Sequence, residues 1–134
     1  MRFSIAVILF LFSFTSVHAQ FTENFDTPAK GAYAPGTANL DSGTWYIAEG
    51  LIGNLDADQK FGSHSVRLGS ALPDFGSRLQ MQFDVQGAGQ VSFYYGTYIT
   101  DANAGRHSLI QLQQSIDGGF VWTNVESPVT TSTD

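Results

Sequence analysis

The stretch Arg78-Leu79-Gln80-Met81-Gln82-Phe83-Asp84-Val85 alternates polar and apolar side chains without a break. Successive side chains of a strand point to opposite faces, so Leu79, Met81, Phe83 and Val85 share one side and the polar residues share the other. A helix of 3.6-residue period would scatter these groups, so residues 78–85 are expected to form a half-buried strand. "QGAGQ" follows as a glycine-rich turn, and Val91-Ser92-Phe93-Tyr94-Tyr95 resumes the alternation. The two runs are expected to pair as an antiparallel hairpin.

A second hairpin is expected further on. Ile110, Leu112 and Ile116 lie on one period-2 face, residues 120–125 form the return strand, and Ser115-Ile116-Asp117-Gly118-Gly119-Phe120-Val121-Trp122 lies between. That connection reads S-x-D-G-G-x-x-W and resembles the Asp-box of secreted sialidases and other extracellular β proteins. Each position has a structural role. Asp117 accepts backbone N–H bonds, Gly118 and Gly119 take positive φ, and Trp122 packs back over the turn. One box with five scattered basic residues over positions 20–134 lacks the repeated blades and the arginine cluster that a sialidase requires. Residues 21–25, 44–47 and 65–68 are shorter strand candidates, separated by loops rich in Gly, Pro, Asn and Asp. No long segment carries a helical period. The expected fold is all-β, an antiparallel β-sandwich of jelly-roll-like form, lacking its C-terminal strands because the chain passes into "VESPVTTSTD" directly after a strand.

Arg2 followed by the apolar run of residues 5–14, with Val17 and Ala19 at small-residue positions, reads as a signal peptide over residues 1–19. The run is roughly ten residues, against the ~20 that span a bilayer. A secreted, periplasmic or cell-surface product with no membrane attachment after cleavage is expected. Residues 20–134, about 115 residues, suit a single β-sandwich domain that buries roughly two-thirds of its unfolded surface. There is no cysteine, so disulfides and thiolate metal sites are excluded and packing must stabilise the fold.

Residues 23–68 look like the opening of a β-sandwich accessory module of secreted bacterial proteins, found beside extracellular nucleases and other hydrolases. The matching pieces are "ENFD", Lys30-Gly31-x-Tyr33, "SGTWY", "LIG" and Lys60-x-Gly62-x-x-Ser65-x-Arg67, followed in order by "MQFDV", the glycine turn and the Asp117 hairpin. Members of that group continue into an Asn/Asp-Asp-Ile-like motif, which this sequence lacks. The resemblance implies a non-catalytic accessory or adhesion domain attached to a variable partner, such as a C-terminal catalytic domain in a longer parent. It implies no catalytic residue in this chain. A further alternative is the N-terminal part of a secreted endonuclease whose catalytic domain is absent.

The residues narrow the chemistry in the same direction. Net charge is −6, and Lys30, Lys60, Arg67, Arg78 and Arg106 are scattered, which disfavours nucleic acid as a partner because counterion release needs a clustered basic face. His64 and His107 have no neighbouring His or Cys, so metal catalysis has no ligand set. The acidic residues fall in no pattern that sets a glycosidase separation. Glu23 and Asp26 are the candidate ligands for a structural calcium, with Glu49, Asp56 and Asp58 forming a second acidic stretch; the alternative is solvated loop carboxylates, Asp58 pairing weakly with Lys60 or Arg67. Trp45, Tyr94 and Tyr98 are candidate ligand-binding aromatics for an extracellular glycan or cell-surface component, making a carbohydrate-binding module the principal alternative; the competing reading places these rings in the core or along an edge.

Overall fold

The computed structural model describes residues 21–69, 76–87 and 89–131. The proposed signal peptide, residues 1–19, lies outside them. Apart from one five-residue helix, α1 (Ile99–Asn103), the regular structure of the described residues is antiparallel β. The chain is therefore all-β.

The largest sheet has the order β1-β2-β5, from β1 (Gly36–Leu40), β2 (Gly43–Ala48) and β5 (Arg78–Met81). Register explains its two faces. Ala38 sits opposite Trp45 and Trp45 opposite Met81, while Ile47 sits opposite Leu79. Residues directly opposite one another share a face, so Ala38, Leu40, Trp45, Ile47, Leu79 and Met81 point to one side. The other side is polar: the Thr44 hydroxyl donates to Asn39 Oδ1 at 3.0 Å, and the Arg78 guanidinium lies 5.1 Å from the centroid of the Tyr46 ring.

After β2 the chain turns sharply. Glu49 has φ 50°, and a Cβ on Gly50 would lie 2.7 Å from Leu68 Cδ2 and 2.9 Å from Ile47 Cγ2. The close approach admits only glycine, and it sends β3 (Gly50–Gly53) out of the first sheet to pair with β4 (Ser65–Leu68). Ile52, opposite Val66, thereby joins Ala38, Leu40 and Ile47 in the buried cluster, with Phe25, Trp45, Val66 and Leu79 packed around it. Five strands thus feed one small core.

The buried ammonium of Lys30 holds the preceding loop to β3 by donating to the carbonyls of Ala32 and Gly50, while Ile52 N donates to Lys30 O at 2.8 Å. Burial lowers its pKa and Glu49 acts in the opposite direction.

The remaining strands are short: β6 (Leu109–Ile110) pairs with β9 (Val129–Thr130), and β7 (Gln113–Gln114) with β8 (Thr123–Asn124). Between the two pairs, Val125 N donates to Leu112 O, and the Gln111 side-chain amide donates to Leu112 O and Glu126 O. Together they form one interrupted hairpin around Asp117. Thr131 closes it at its base: Thr131 N donates to Ser108 O, Ser108 N to Thr131 Oγ1, and the buried Thr97 hydroxyl to Thr131 Oγ1 at 2.7 Å.

Four strand expectations change, the first being the return strand of residues 120–125, which is regular only at Thr123–Asn124. Residues 21–25 are irregular, with Phe25 at φ 58° and its N–H bonded to Glu23 Oε1, because the Phe25 ring turns inward to meet Trp45 edge-on at 5.4 Å. The long alternating run forms a strand only to Met81, since Phe83 folds back over β2, its ring 5.9 Å from Trp45. A Cβ on Gly43 (φ 137°) would overlap that Phe83 ring. Residues 91–95 are not a strand, and β5 pairs with β2, so the hairpin of 78–85 with 91–95 does not form.

Candidate functional site

Each aromatic proposed as ligand-binding has its own surroundings. Trp45 lies over the core between Phe25 and Phe83, and its indole N–H donates to Ser42 Oγ at 2.9 Å. Tyr98 lies beneath Arg67, whose guanidinium carbon is 4.7 Å from the ring centroid. Tyr94 is 85 % exposed and its ring touches Phe61, also 85 % exposed, at a centroid distance of 4.4 Å and an interplanar angle of 53°. Of the three, only Tyr94 therefore presents a free ring, and its partner Phe61 is not a candidate that the sequence suggests. Phe61 sits in a Lys/Gly/Ser loop with no alternation to mark it; only its isolation among polar residues distinguishes it.

That loop is fixed on both sides of Phe61. On its N-terminal side Asp58, with a side chain 1 % exposed, receives Arg67 Nε at 2.6 Å and Arg67 Nη2 at 2.7 Å, while Leu55 N donates to Asp58 Oδ2. Hydrogen bonding from Arg67 is the main cause holding the Asp58 carboxyl below its ordinary range, and Asp58 in turn raises the Arg67 pKa. The expectation of a weak, solvated Asp58 pair is corrected: the pair is bidentate and buried, because β4 carries Arg67 directly past the 55–58 turn. Lys60 Nζ adds a bond to Leu55 O at 2.6 Å.

On the C-terminal side Asp26 Oδ1 accepts from Ser63 N at 2.6 Å, Ser63 Oγ at 3.0 Å and His64 N at 3.0 Å. The His64 N–H is the largest influence lowering the Asp26 pKa. Gly62 lies so close that a Cβ there would overlap the Asp26 carboxylate. Ser63 Oγ is also 2.8 Å from His64 Nδ1. This Ser-His contact is between chain neighbours, and the carboxylate binds the serine and two backbone N–H groups, which is the geometry of a loop clamp.

Glu23 has a comparable role. Its Oε2 accepts from Ser42 N at 3.0 Å and Ser42 Oγ at 2.7 Å, and its Oε1 from Phe25 N. These bonds outweigh partial burial, which acts the other way, and leave its pKa lowered. Of the two proposed calcium ligands, Glu23 accepts N–H and O–H bonds at both carboxylate oxygens and Asp26 accepts three at Oδ1. Among the described residues no group of three or more His, Asp or Glu side chains comes together as a metal site. In the hydrogen bonds they make, Glu23 and Asp26 act as loop clamps.

In the Asp117 turn, Asp117 Oδ1 accepts from Phe120 N at 3.1 Å and Val121 N at 3.0 Å, and the Ser115 hydroxyl donates to it at 2.6 Å. Gly119 N donates back to Ser115 Oγ at 2.9 Å. Gly118 and Gly119 have φ 74° and 91°, and the Trp122 indole N–H donates to Gly119 O at 3.0 Å. Hydrogen bonding from Ser115 leads the causes that lower the Asp117 pKa. Ile116 and Phe120 project outward from this turn, 97 % and 90 % exposed.

His107 is exposed, its Nδ1 2.9 Å from Thr131 O, and lies apart from the Asp26–His64 clamp in sequence and in hydrogen bonding. Among the described residues no helix is long and apolar enough to cross a membrane. No family model matches the chain, and no curated protein or solved structure matches it.

Proposed function

We propose that this chain is a non-catalytic accessory or adhesion module of a secreted bacterial protein, built as a jelly-roll-like β-sandwich and presenting an apolar surface to an extracellular component. The observation that carries the reading is the division of labour among its side chains. Asp26, Asp58, Glu23 and Asp117 bind backbone and neighbouring side chains, whereas Phe61, Tyr94, Ile116 and Phe120 face solvent. Phe61 and Tyr94 touch each other, and contiguous exposed apolar groups mark contact surfaces. In this reading residues 1–19 direct export, and a catalytic partner domain belongs to a longer parent.

The test compares binding with catalysis in the purified chain. Adsorption to insoluble polysaccharide or to isolated cell walls, with no turnover of nucleic acid or glycoside substrates, is the expected result. Hydrolysis abolished by one side-chain change would overturn it. The partner-domain reading is checked separately by sequencing the coding region downstream of Asp134.

A further inference from the structure

We propose that Asp117-Gly118 is a site of spontaneous backbone modification, the conversion of Asp117 to isoaspartate, and that the hydrogen bonds of its turn hold the reaction back. No other Asp or Asn of the sequence precedes a glycine. The reaction begins with attack of the Gly118 amide nitrogen on Cγ of Asp117. The new N–Cγ bond closes a five-membered succinimide, and the carboxyl OH leaves with the amide hydrogen as water. Water then reopens the ring in one of two ways. Cleavage of N–Cγ restores Asp117, whereas cleavage between that nitrogen and the backbone carbonyl carbon of Asp117 leaves the main chain running through Cβ and Cγ. Atoms balance, the mass is unchanged, and water is the sole co-reactant.

Position and exposure favour the reaction. Glycine has no Cβ to crowd the attacking nitrogen, a Cβ built on Gly118 would meet nothing within 4 Å, and residues 116–121 are all exposed to water. The carboxylate's own bonds oppose it. Oδ1 takes the Ser115 hydroxyl at 2.6 Å, Phe120 N at 3.1 Å and Val121 N at 3.0 Å, and Cγ must leave these donors to bond Gly118 N. Hydrogen bonding from Ser115, followed by that from Val121 and Phe120, also lowers the Asp117 pKa. The anion so favoured is the poorer electrophile, because its oxygen departs only after gaining a proton. Ser115 joins the two reacting segments, since its Oγ accepts from Gly119 N at 2.9 Å while its hydroxyl holds the carboxylate. In the product the main chain gains a methylene and the carboxylate sits directly on Cα, which removes the Phe120 and Val121 bonds and re-aims the exposed Ile116 and Phe120 at the tip.

The folded chain is aged in mildly acidic buffer, digested, and assayed for isoaspartate at residue 117 by methyl transfer with a protein isoaspartyl methyltransferase and by resistance of that position to an Asp-specific protease. The same chain unfolded in urea gives the unrestrained rate. The unfolded chain should accumulate isoaspartate at least tenfold faster than the folded one. Folded Ser115→Ala should do so about tenfold faster than the folded parent, the rate equivalent of losing a hydrogen bond to a charged group. Trp122→Phe, which loses the indole bond to Gly119 O and none to the carboxylate, should accelerate it less than Ser115→Ala does. Asp117→Glu, which would have to close a six-membered ring, should give no signal there. Absence of isoaspartate at 117 in the unfolded parent would remove the site. Ser115→Ala ageing at the parent rate with its β circular dichroism retained, or more slowly than Trp122→Phe, would overturn the restraint by the carboxylate's bonds. Equal rates in the folded and unfolded parent would overturn it without any variant.

Discussion

Removing the carboxylate of Asp58 tests how much of this small fold depends on one buried ion pair. Asp58→Ala leaves the Arg67 guanidinium, only 17 % exposed at its side chain, without either of its bonds at 2.6 and 2.7 Å, and leaves Leu55 N without its acceptor. Breaking a buried pair from one side costs about 3–5 kcal/mol, because an uncompensated charge stays buried. For a domain of this size, where 1 kcal/mol moves the midpoint by about 4 °C, the thermal midpoint should fall by roughly 12–20 °C.

The pH dependence has a definite sign. Arg67 depresses the folded-state pKa of Asp58, so the pair's contribution is complete above the unfolded carboxylate value of about 3.9 and is lost as pH falls through the lower folded value. In Arg67→Met the leading cause of that depression is gone, and burial, which raises the Asp58 pKa, is opposed only by the Leu55 N–H and Lys60, so that variant should lose less stability than the parent as pH falls below the ordinary carboxylate range. Circular dichroism melts of the parent, both single variants and Asp58→Ala/Arg67→Met provide a double-mutant cycle. Asp58→Ala melting within about 4 °C of the parent, a loss near 1 kcal/mol, would refute the argument. So would a coupling energy below about 0.5 kcal/mol, the usual additivity error.

Three other outcomes are expected. Ile47→Ala, at the one fully buried large side chain among the described residues, should cost about 2–5 kcal/mol by denaturant titration, since the sheet and Ile52 cannot both close the cavity. Asp117→Ala should speed hydrogen exchange at the Phe120 and Val121 amides, whose bonds it accepts, and leave exchange in β1, β2 and β5 unchanged. With its pKa depressed, Asp117 supports that turn above the ordinary carboxylate range, and the same two amides should lose protection in the parent as pH falls below it. Gly43→Val should destabilise more than Gly31→Val, because a Cβ at 43 meets the Phe83 ring at positive φ while one at 31 meets nothing within 4 Å.

The strands read from local pattern survive where packing agrees with the pattern. Residues 44–47 and 65–68 fall in β2 and β4, and a hairpin brackets Asp117. Gly36–Leu40 and Gly50–Gly53 are illegible in the sequence because "GTANL" and "GLIG" carry loop-forming residues, and only their neighbours make them strands. In β1 alternate residues are buried by β2, and in β3 Gly50 is required by Leu68 and Ile47. The candidate site is legible in part: Tyr94 stands out as an aromatic on the face opposite Phe93 and Tyr95, but Phe61 lies 33 positions earlier, and no local pattern joins the two.

Taken alone, the sequence determines the all-β class, the two faces of residues 78–81 and the chemistry of the Asp117 turn, since these depend on side-chain direction and on bonds within a few residues. The tertiary structure alone decides which strand each face meets. It gives β5 to β2 in place of residues 91–95, buries Asp58 against Arg67, clamps two loops through Asp26 and Glu23, and separates Trp45 from Tyr94. Each of these outcomes requires distant segments to meet. Period and propensity leave that choice open, and it is made by the summed packing of one small core.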